Sequence, residues 1–195
     1  MYLLWWHTKP GVFLGRPVDN QIELWLGELK RWNSVHNLVS PHQIPFLDEH
    51  VADSLSFAPF LKQNLVVDAG SGGGFPVIPL AIHSKHYNLQ IRFVATDVVD
   101  KKIAFLKWSV KRFHLNVDIV KVDKNFLIEE ECMLISRAFA SVEKLLAWKN
   151  KHIPLCSEMF LLKGPKATEE TSRLGIENAQ FIPNQRGFIV KICLK

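Results

Sequence analysis

An apolar strand that runs into four glycines and then a proline-led apolar helix leaves few folds open. The stretch Val66-Val67-Asp68-Ala69-Gly70-Ser71-Gly72-Gly73-Gly74-Phe75-Pro76, followed by Val77-Ile78-Pro79-Leu80-Ala81-Ile82, has that order. It reads as the first β-α unit of a nucleotide-binding α/β sheet. Glycines at the turn accept positive φ and let a ligand lie against bare backbone, while the first-turn amides of the helix stay free to donate. Pro76 fits the first helical position, where no donor is lost.

The spacing narrows the ligand. A dinucleotide fingerprint is G-x-G-x-x-G, but the third position after Gly72 is Phe75, and the glycines run Gly70-x-Gly72-x-Gly74. With Asp68 in front, the motif is D-x-G-x-G-x-G, which resembles the first motif of class I S-adenosylmethionine methyltransferases more than a nicotinamide site. Asp97 ends the apolar strand Ile91–Thr96 about twenty residues on, where a carboxylate can hold ribose hydroxyls. That carboxylate does not separate the two cofactors.

At 195 residues and 48% hydrophobic content, the chain suits one domain with a sizeable core. The reading is residues 18–60 as N-terminal helices and 64–195 as the cofactor-binding core. Net charge +5 is compatible with a polyanionic partner without proving one. Cys132, Cys156 and Cys193 have no C-x-x-C spacing and no metal-like His grouping, so neither a disulfide framework nor a zinc site is expected, and a reducing cytoplasm fits. The apolar start Met1–Trp6 is short and ends at Lys9-Pro10-Gly11, so neither an export signal nor a membrane span is expected.

Along the chain, Ile22, Trp25, Leu26, Leu29 and Trp32 recur at helical spacing from Val18 to about Leu38, with Asp19 or Asn20 available as a cap. A second helix after Pro45 carries Phe46, Leu47, Val51 and Leu55. On it His50 and Asp53 share a face, a pair read as a local hydrogen bond before a catalytic one. Past the glycines come helix Pro76–Ser84, strand Gln90–Asp97, and a helix from Asp100 with Ile103, Leu106, Val110 and Phe113 on one face. Its other face, Lys101, Lys107, Lys111 and Arg112, reads as solvated surface before an RNA contact. Strands Val117–Val122, Cys132–Ser136 and Met159–Leu162 follow, with a helix near Val142–Lys149 and another near Thr168–Leu174. Phe181-Ile182 and Phe188–Leu194 close the chain as a hairpin around Asn184-Gln185-Arg186-Gly187. The expected class is α/β: a Rossmann-like, mostly parallel sheet with helices on both faces, preceded by a short N-terminal helical segment.

Methyl transfer from a sulfonium is an in-line displacement, so a protein mainly aligns acceptor and methyl and excludes water. Amino-group methyltransferases usually carry [DN]-P-P-[YF] after the fourth strand, where this chain has Ser136-Arg137-Ala138-Phe139. Carbon-5 pyrimidine enzymes need a nucleophilic cysteine, usually beside proline, and none of the three is so placed. Both classes are disfavoured.

Several separated segments carry a more specific likeness. Trp32-Asn33 with Asn37-Leu38, His50-x-x-Asp53-Ser54, Asp68–Ile82, Ile135-Ser136-Arg137-Ala138-Phe139-Ala140-Ser141 and Lys163-Gly164 match the motifs of one family. On them the chain resembles the RsmG (glucose-inhibited division protein B) family of bacterial 16S rRNA guanine-N7 methyltransferases. The resemblance implies S-adenosyl-L-methionine as cofactor, no metal, and 16S rRNA or the small ribosomal subunit particle as partner, acted on by a cytoplasmic monomer. It implies that Asp68, Gly70, Gly72, Gly74, Phe75 and Asp97 shape the cofactor site, and that Lys124 and Asn125 are the adenine-contacting pair, where the family often has a small residue followed by Glu. Arg137 would stand at the cofactor and RNA face with Lys163 beside it. The bland alternative for Arg137 is a buried ion pair holding its loop. No general acid or base is expected, because guanine N7 has a free lone pair and no proton to lose. The rival classes are an NAD-dependent oxidoreductase and a catalytically idle RNA-binding assembly factor that has kept the fold.

Overall fold

The computed structural model describes residues 17–184 and 187–194. The apolar start and Gln185-Arg186 of the expected hairpin lie outside them. At the centre is β1 (Leu65–Ala69), buried at every position, so both of its faces are covered. It pairs in parallel with β2 (Arg92–Asp97) on one side and β4 (Cys132–Arg137) on the other. β3 (Val117–Lys121) extends the sheet beyond β2, and β5 (Cys156–Lys163) beyond β4. The closing pair β6 (Gln180–Asn184) and β7 (Gly187–Cys193) is antiparallel, with β7 inserted against β5, giving the order β3-β2-β1-β4-β5-β7-β6. The strand order reverses between β1 and β4, and at such a point in a parallel sheet a crevice opens beyond the carboxyl ends.

Helices cover both faces. One face carries α1 (Pro17–His36), α2 (Leu47–Leu55), α3 (Val77–His86) and α4 (Asp100–Phe113) around Trp25, Phe57, Ile78, Phe93 and Phe105. The other carries α5 (Val142–His152) and α6 (Ala167–Arg173) over Val67, Leu134, Leu145 and Leu161. α3 is apolar around most of its circumference because α1, α2 and α4 enclose it against the sheet. Trp25 of α1 is fully buried, donates from Nε1 to Ser109 Oγ at 3.3 Å, and sits edge-on to Phe75. Truncation of such a side chain costs about 3–5 kcal/mol, so the N-terminal helices belong to the main core.

The elements lie where periodicity puts them, with shifted ends. α1 begins at Pro17, so Asp19 and Asn20 fall inside its first turn and not ahead of it. α2 follows a 3-10 turn, Pro41–Phe46, whose last residue, Phe46, is exposed and not part of the helix's apolar face. α3 begins one residue after Pro76, because Gly74 donates to Ser71 O at 2.8 Å and the turn closes before helical bonding starts with Ile78 N to Gly74 O. Lys101, Lys107, Lys111 and Arg112 are all exposed, the solvated face expected for α4.

Candidate active site

The turn between β1 and α3 is stapled to the end of β2. Ser71 N donates to Thr96 O at 2.8 Å, Thr96 N to Ser71 Oγ at 3.1 Å, and Thr96 Oγ1 to Asp68 O at 2.7 Å. Asp97 completes the staple: Oδ2 accepts from Gly72 N at 3.0 Å, and Oδ1 from Val98 N at 2.7 Å and Val99 N at 2.9 Å. The expected ribose-holding carboxylate is therefore also the clamp that shapes the glycine turn. Val98 beside it is 63% exposed, an apolar surface next to that clamp.

Only one glycine of the motif points a bare Cα at open space. Gly72 has φ +56°, and a Cβ there would meet nothing nearer than Gly70 O at 3.8 Å. A Cβ on Gly73 would strike Val39, at 2.6 Å from Cγ2, and one on Gly74 would come within 2.9 Å of Trp25 and Ile78. Gly74, expected as cofactor-binding, thus owes its missing side chain to close packing by α1 and α3. Gly70 is covered by the ring of Phe139, which is itself 45% exposed.

Asp68 lies beneath the turn with 0% exposure; neither carboxylate oxygen has a well-aligned hydrogen bond among the described residues, although the Ser71 hydroxyl and the Val77 amide lie near enough to favour its charged form. Burial pushes its carboxyl up to about 8, with the charge of Asp97 adding to the effect. A buried acid so weakly supplied with donors is costly unless something else satisfies it.

Arg137, at the carboxyl end of β4, projects beyond the β1/β4 crossing. Its guanidinium lies 5.5 Å over the ring of Phe75 and donates from Nη2 to His50 Nδ1 at 2.6 Å. A guanidinium has no acceptor, so Nδ1 must accept and the ring proton sits on Nε2. Burial, aided by Arg137, lowers His50 to about 4, which keeps it neutral. Arg137, His50 and Asp53 line a cavity of about 170 Å³ with Gln43, Lys163 and Asn184. The expected local bond between His50 and Asp53 does not form: His50 reaches Arg137, and Asp53 Oδ1 accepts from Asn184 Nδ2 at 3.2 Å. Arg137 forms no ion pair within 4 Å among the described residues. The loop after it has two sides, Ala138 with φ +53° facing the cavity and Phe139 lying on the glycine turn.

The remaining expected site residues divide. Phe75 is 5% exposed, its ring wedged between Trp25 and His50, so it supports Arg137 from below. Lys163 donates from Nζ to Ala140 O and lies 3.6 Å from Glu170, so its charge is spent on fixing the Ala138–Ser141 loop. Lys124 and Asn125 sit exposed in the turn after β3, close to Asp97 through Val122 N, which donates to Asp97 O at 3.0 Å. His50, Asp53 and Asn184 are additions at the site itself. The available signal for the first two was a polar pair set among the buried apolar positions of α2.

Among known proteins, the family model described as rRNA small subunit methyltransferase G matches residues 18–184. The protein named ribosomal RNA small subunit methyltransferase G from Francisella philomiragia is 35% identical over 158 residues, covering 78% of this chain and 75% of that one. Its namesake from Francisella tularensis is 34% identical over 188 residues, 87% of each. Among solved structures, a methyltransferase from Geobacter sulfurreducens aligns with a TM-score of 0.58 at 13% identity, over 88% of this chain and 89% of that one. TrmK of M. capricolum, in complex with S-adenosyl-homocysteine, aligns at 0.50 and 16% identity over 72% and 67%. These structural likenesses extend to the fold.

Proposed function

This chain belongs to the rRNA small subunit methyltransferase G family, and from that premise we propose that it transfers the methyl group of S-adenosyl-L-methionine to N7 of a guanine in small-subunit rRNA. The observation that carries the reading is Asp68, a fully buried acid whose nearest protein donors, the Ser71 hydroxyl and the Val77 amide, leave its carboxyl well above its ordinary range, beneath a turn open to a ligand at Gly72. The ammonium of the cofactor's amino-acid end is a donor of the right charge for Asp68. The amides of the turn and the apolar surface at Val98 suit its nucleoside, with Lys124 and Asn125 at the adenine end. When bound, the cofactor supplies an electrophilic methyl. The chain's own residues align the acceptor and keep water out.

Methylation at N7 does not require any of the neighbouring groups to act as a base. His50 is neutral, but its Nδ1 lone pair is held by Arg137, and Lys163 is engaged by Ala140. N7 needs no deprotonation. It lies on the major-groove edge, too deep and narrow to reach in A-form RNA, so the target guanine must be unstacked and presented singly. The test is transfer of tritiated methyl to small subunits from cells lacking this protein, followed by digestion to nucleosides. Label in 7-methylguanosine is the expected result; no label, or label in another nucleoside, overturns the reading.

Asp68 also gives a pH prediction. Its value rises from 3.8 in the unfolded chain to about 8 in the ligand-free fold, so the fold binds a proton that the unfolded chain has released. Stability attributable to this group is full below about pH 4 and is lost as pH climbs towards 8. An ammonium placed beside the carboxyl favours its ionised form and expels that proton at neutral pH. Calorimetric titration with S-adenosylhomocysteine at pH 7 should therefore give heats that differ between phosphate and Tris buffers. Asp68→Asn should remove the difference and weaken affinity roughly tenfold or more. Buffer-independent heat in the unmodified protein would exclude Asp68 as the ammonium's partner.

A further inference from the structure

The cavity beside Arg137 does not belong to the glycine turn. Its lining comes from Gln43, α2, the ends of β4 and β5, and Asn184 and Gly187 at the facing ends of β6 and β7, and it shares one loop with the turn, Ala138 lining the cavity and Phe139 covering Gly70. About 170 Å³ is well below the roughly 300–1,000 Å³ of pockets that hold drug-sized ligands, and suits one planar base. Of the charged residues that line it, Lys163 is engaged by Ala140 O and Glu170, and Arg137 and Asp53 have opposite hydrogen-bonding roles. Arg137 uses one donor on His50, and its other N–H groups take no partner among the described residues. Asp53, 3% exposed, accepts from Asn184 at Oδ1, while Oδ2 takes no hydrogen bond from the described residues. Burial pushes the Asp53 carboxyl above its ordinary value, and the Arg137 charge and the Asn184 hydrogen bond work against that push.

We infer that this cavity receives the extruded target guanine and that Asp53 is its specificity-determining residue, accepting from guanine N1–H and N2–H₂ while Arg137 donates to O6. The inference rests on the methyl-transfer reading and adds the group that chooses the base. Guanine's pairing edge is the one natural purine edge that offers two adjacent donors beside an acceptor. Asp53 and Arg137 are an acceptor and a donor in the lining of one cavity. Adenine would set its N1 lone pair against the carboxylate and its N6 donor against the guanidinium, leaving both buried groups worse than unpaired. With the pairing edge held, N7 stays bare. His50 is a positioning residue here: its Nδ1 fixes one corner of the guanidinium fork so that the remaining donors face the cavity.

The experiment is ligand-observed NMR titration with 5′-GMP, 5′-IMP and 5′-AMP, with and without saturating S-adenosylhomocysteine. The shared phosphate cancels in the comparison. GMP should bind roughly 10–100-fold tighter than AMP, the discrimination of one bidentate pair, with IMP, which lacks the 2-amino group, in between. Asp53→Asn keeps an oxygen for Asn184 and should keep its melting temperature and S-adenosylhomocysteine affinity while losing the GMP preference. Equal affinity for the three nucleotides in the unmodified protein, or an unchanged preference in Asp53→Asn, overturns the inference. Failure of S-adenosylhomocysteine to bind would instead overturn the methyl-transfer reading, and the nucleotide preference measured without it still judges the cavity.

Discussion

Arg137→Ala should reduce single-turnover methylation of unmodified small subunits by on the order of 10²-fold or more, the penalty of losing a positioned charged donor at a reacting centre. The fold should tolerate it. Truncation leaves His50 Nδ1 without its donor and uncovers one side of Phe75, a loss of about 1–3 kcal/mol that lowers the melting temperature by several degrees. His50 offsets part of this, because without the neighbouring positive charge only its burial still holds the ring neutral. Arg137→Lys should recover little turnover: one ammonium cannot donate to His50 and reach an acceptor across the cavity with the planar fork that does both. Rates and melting curves taken together decide the matter. Near-normal turnover in a folded Arg137→Ala protein would make the residue a structural prop.

The local parts of this site were legible in the sequence and the non-local parts were not. The glycine turn, its strand and its helix are contiguous, so composition and order determine them within a residue or two. Arg137 was placed by its position at the end of a strand. What it touches was hidden: His50 is 87 positions away, and the α2 pair could be read as satisfying itself until the fold brought β4 and the last hairpin against it. Asp97 was found for its position, but its grip on three backbone amides depends on how the chain reverses, which residue types alone do not encode. Lys163 was drawn towards the substrate by its place beside Gly164, and the carbonyl that takes its charge belongs to a loop whose path was invisible from sequence.

Gly72→Val should abolish cofactor binding in a protein that still folds. At φ +56° a β-branched residue is a steric outlier costing about 1–3 kcal/mol. The space its Cβ would enter is free of protein, so no core packing is broken. That same space is the open face of the turn. The hydrogen bond from its amide to Asp97 would be strained as the turn relaxes, and the clamp would loosen with it. S-adenosylhomocysteine should raise the melting temperature of the unmodified protein and leave that of Gly72→Val unmoved at millimolar ligand, a loss of roughly 100-fold or more in affinity. A rise retained in the variant would place the cofactor elsewhere.

The far side of the glycine turn has a tenant of its own. Val39 rests on Gly73, and Trp25 of α1 shares the back of Gly74 with Ile78. The turn is a thin partition: the proposed ligand face at Gly72 on one surface, and α1 with the segment that follows it on the other. Whatever stiffens one surface must be felt on the other, and by reciprocity a loosened α1 must tax binding as much as binding secures α1. The segment before the motif is therefore a second wall for the proposed site, and a chain pared back to the sheet and its later helices should keep the motif's letters and lose its shape.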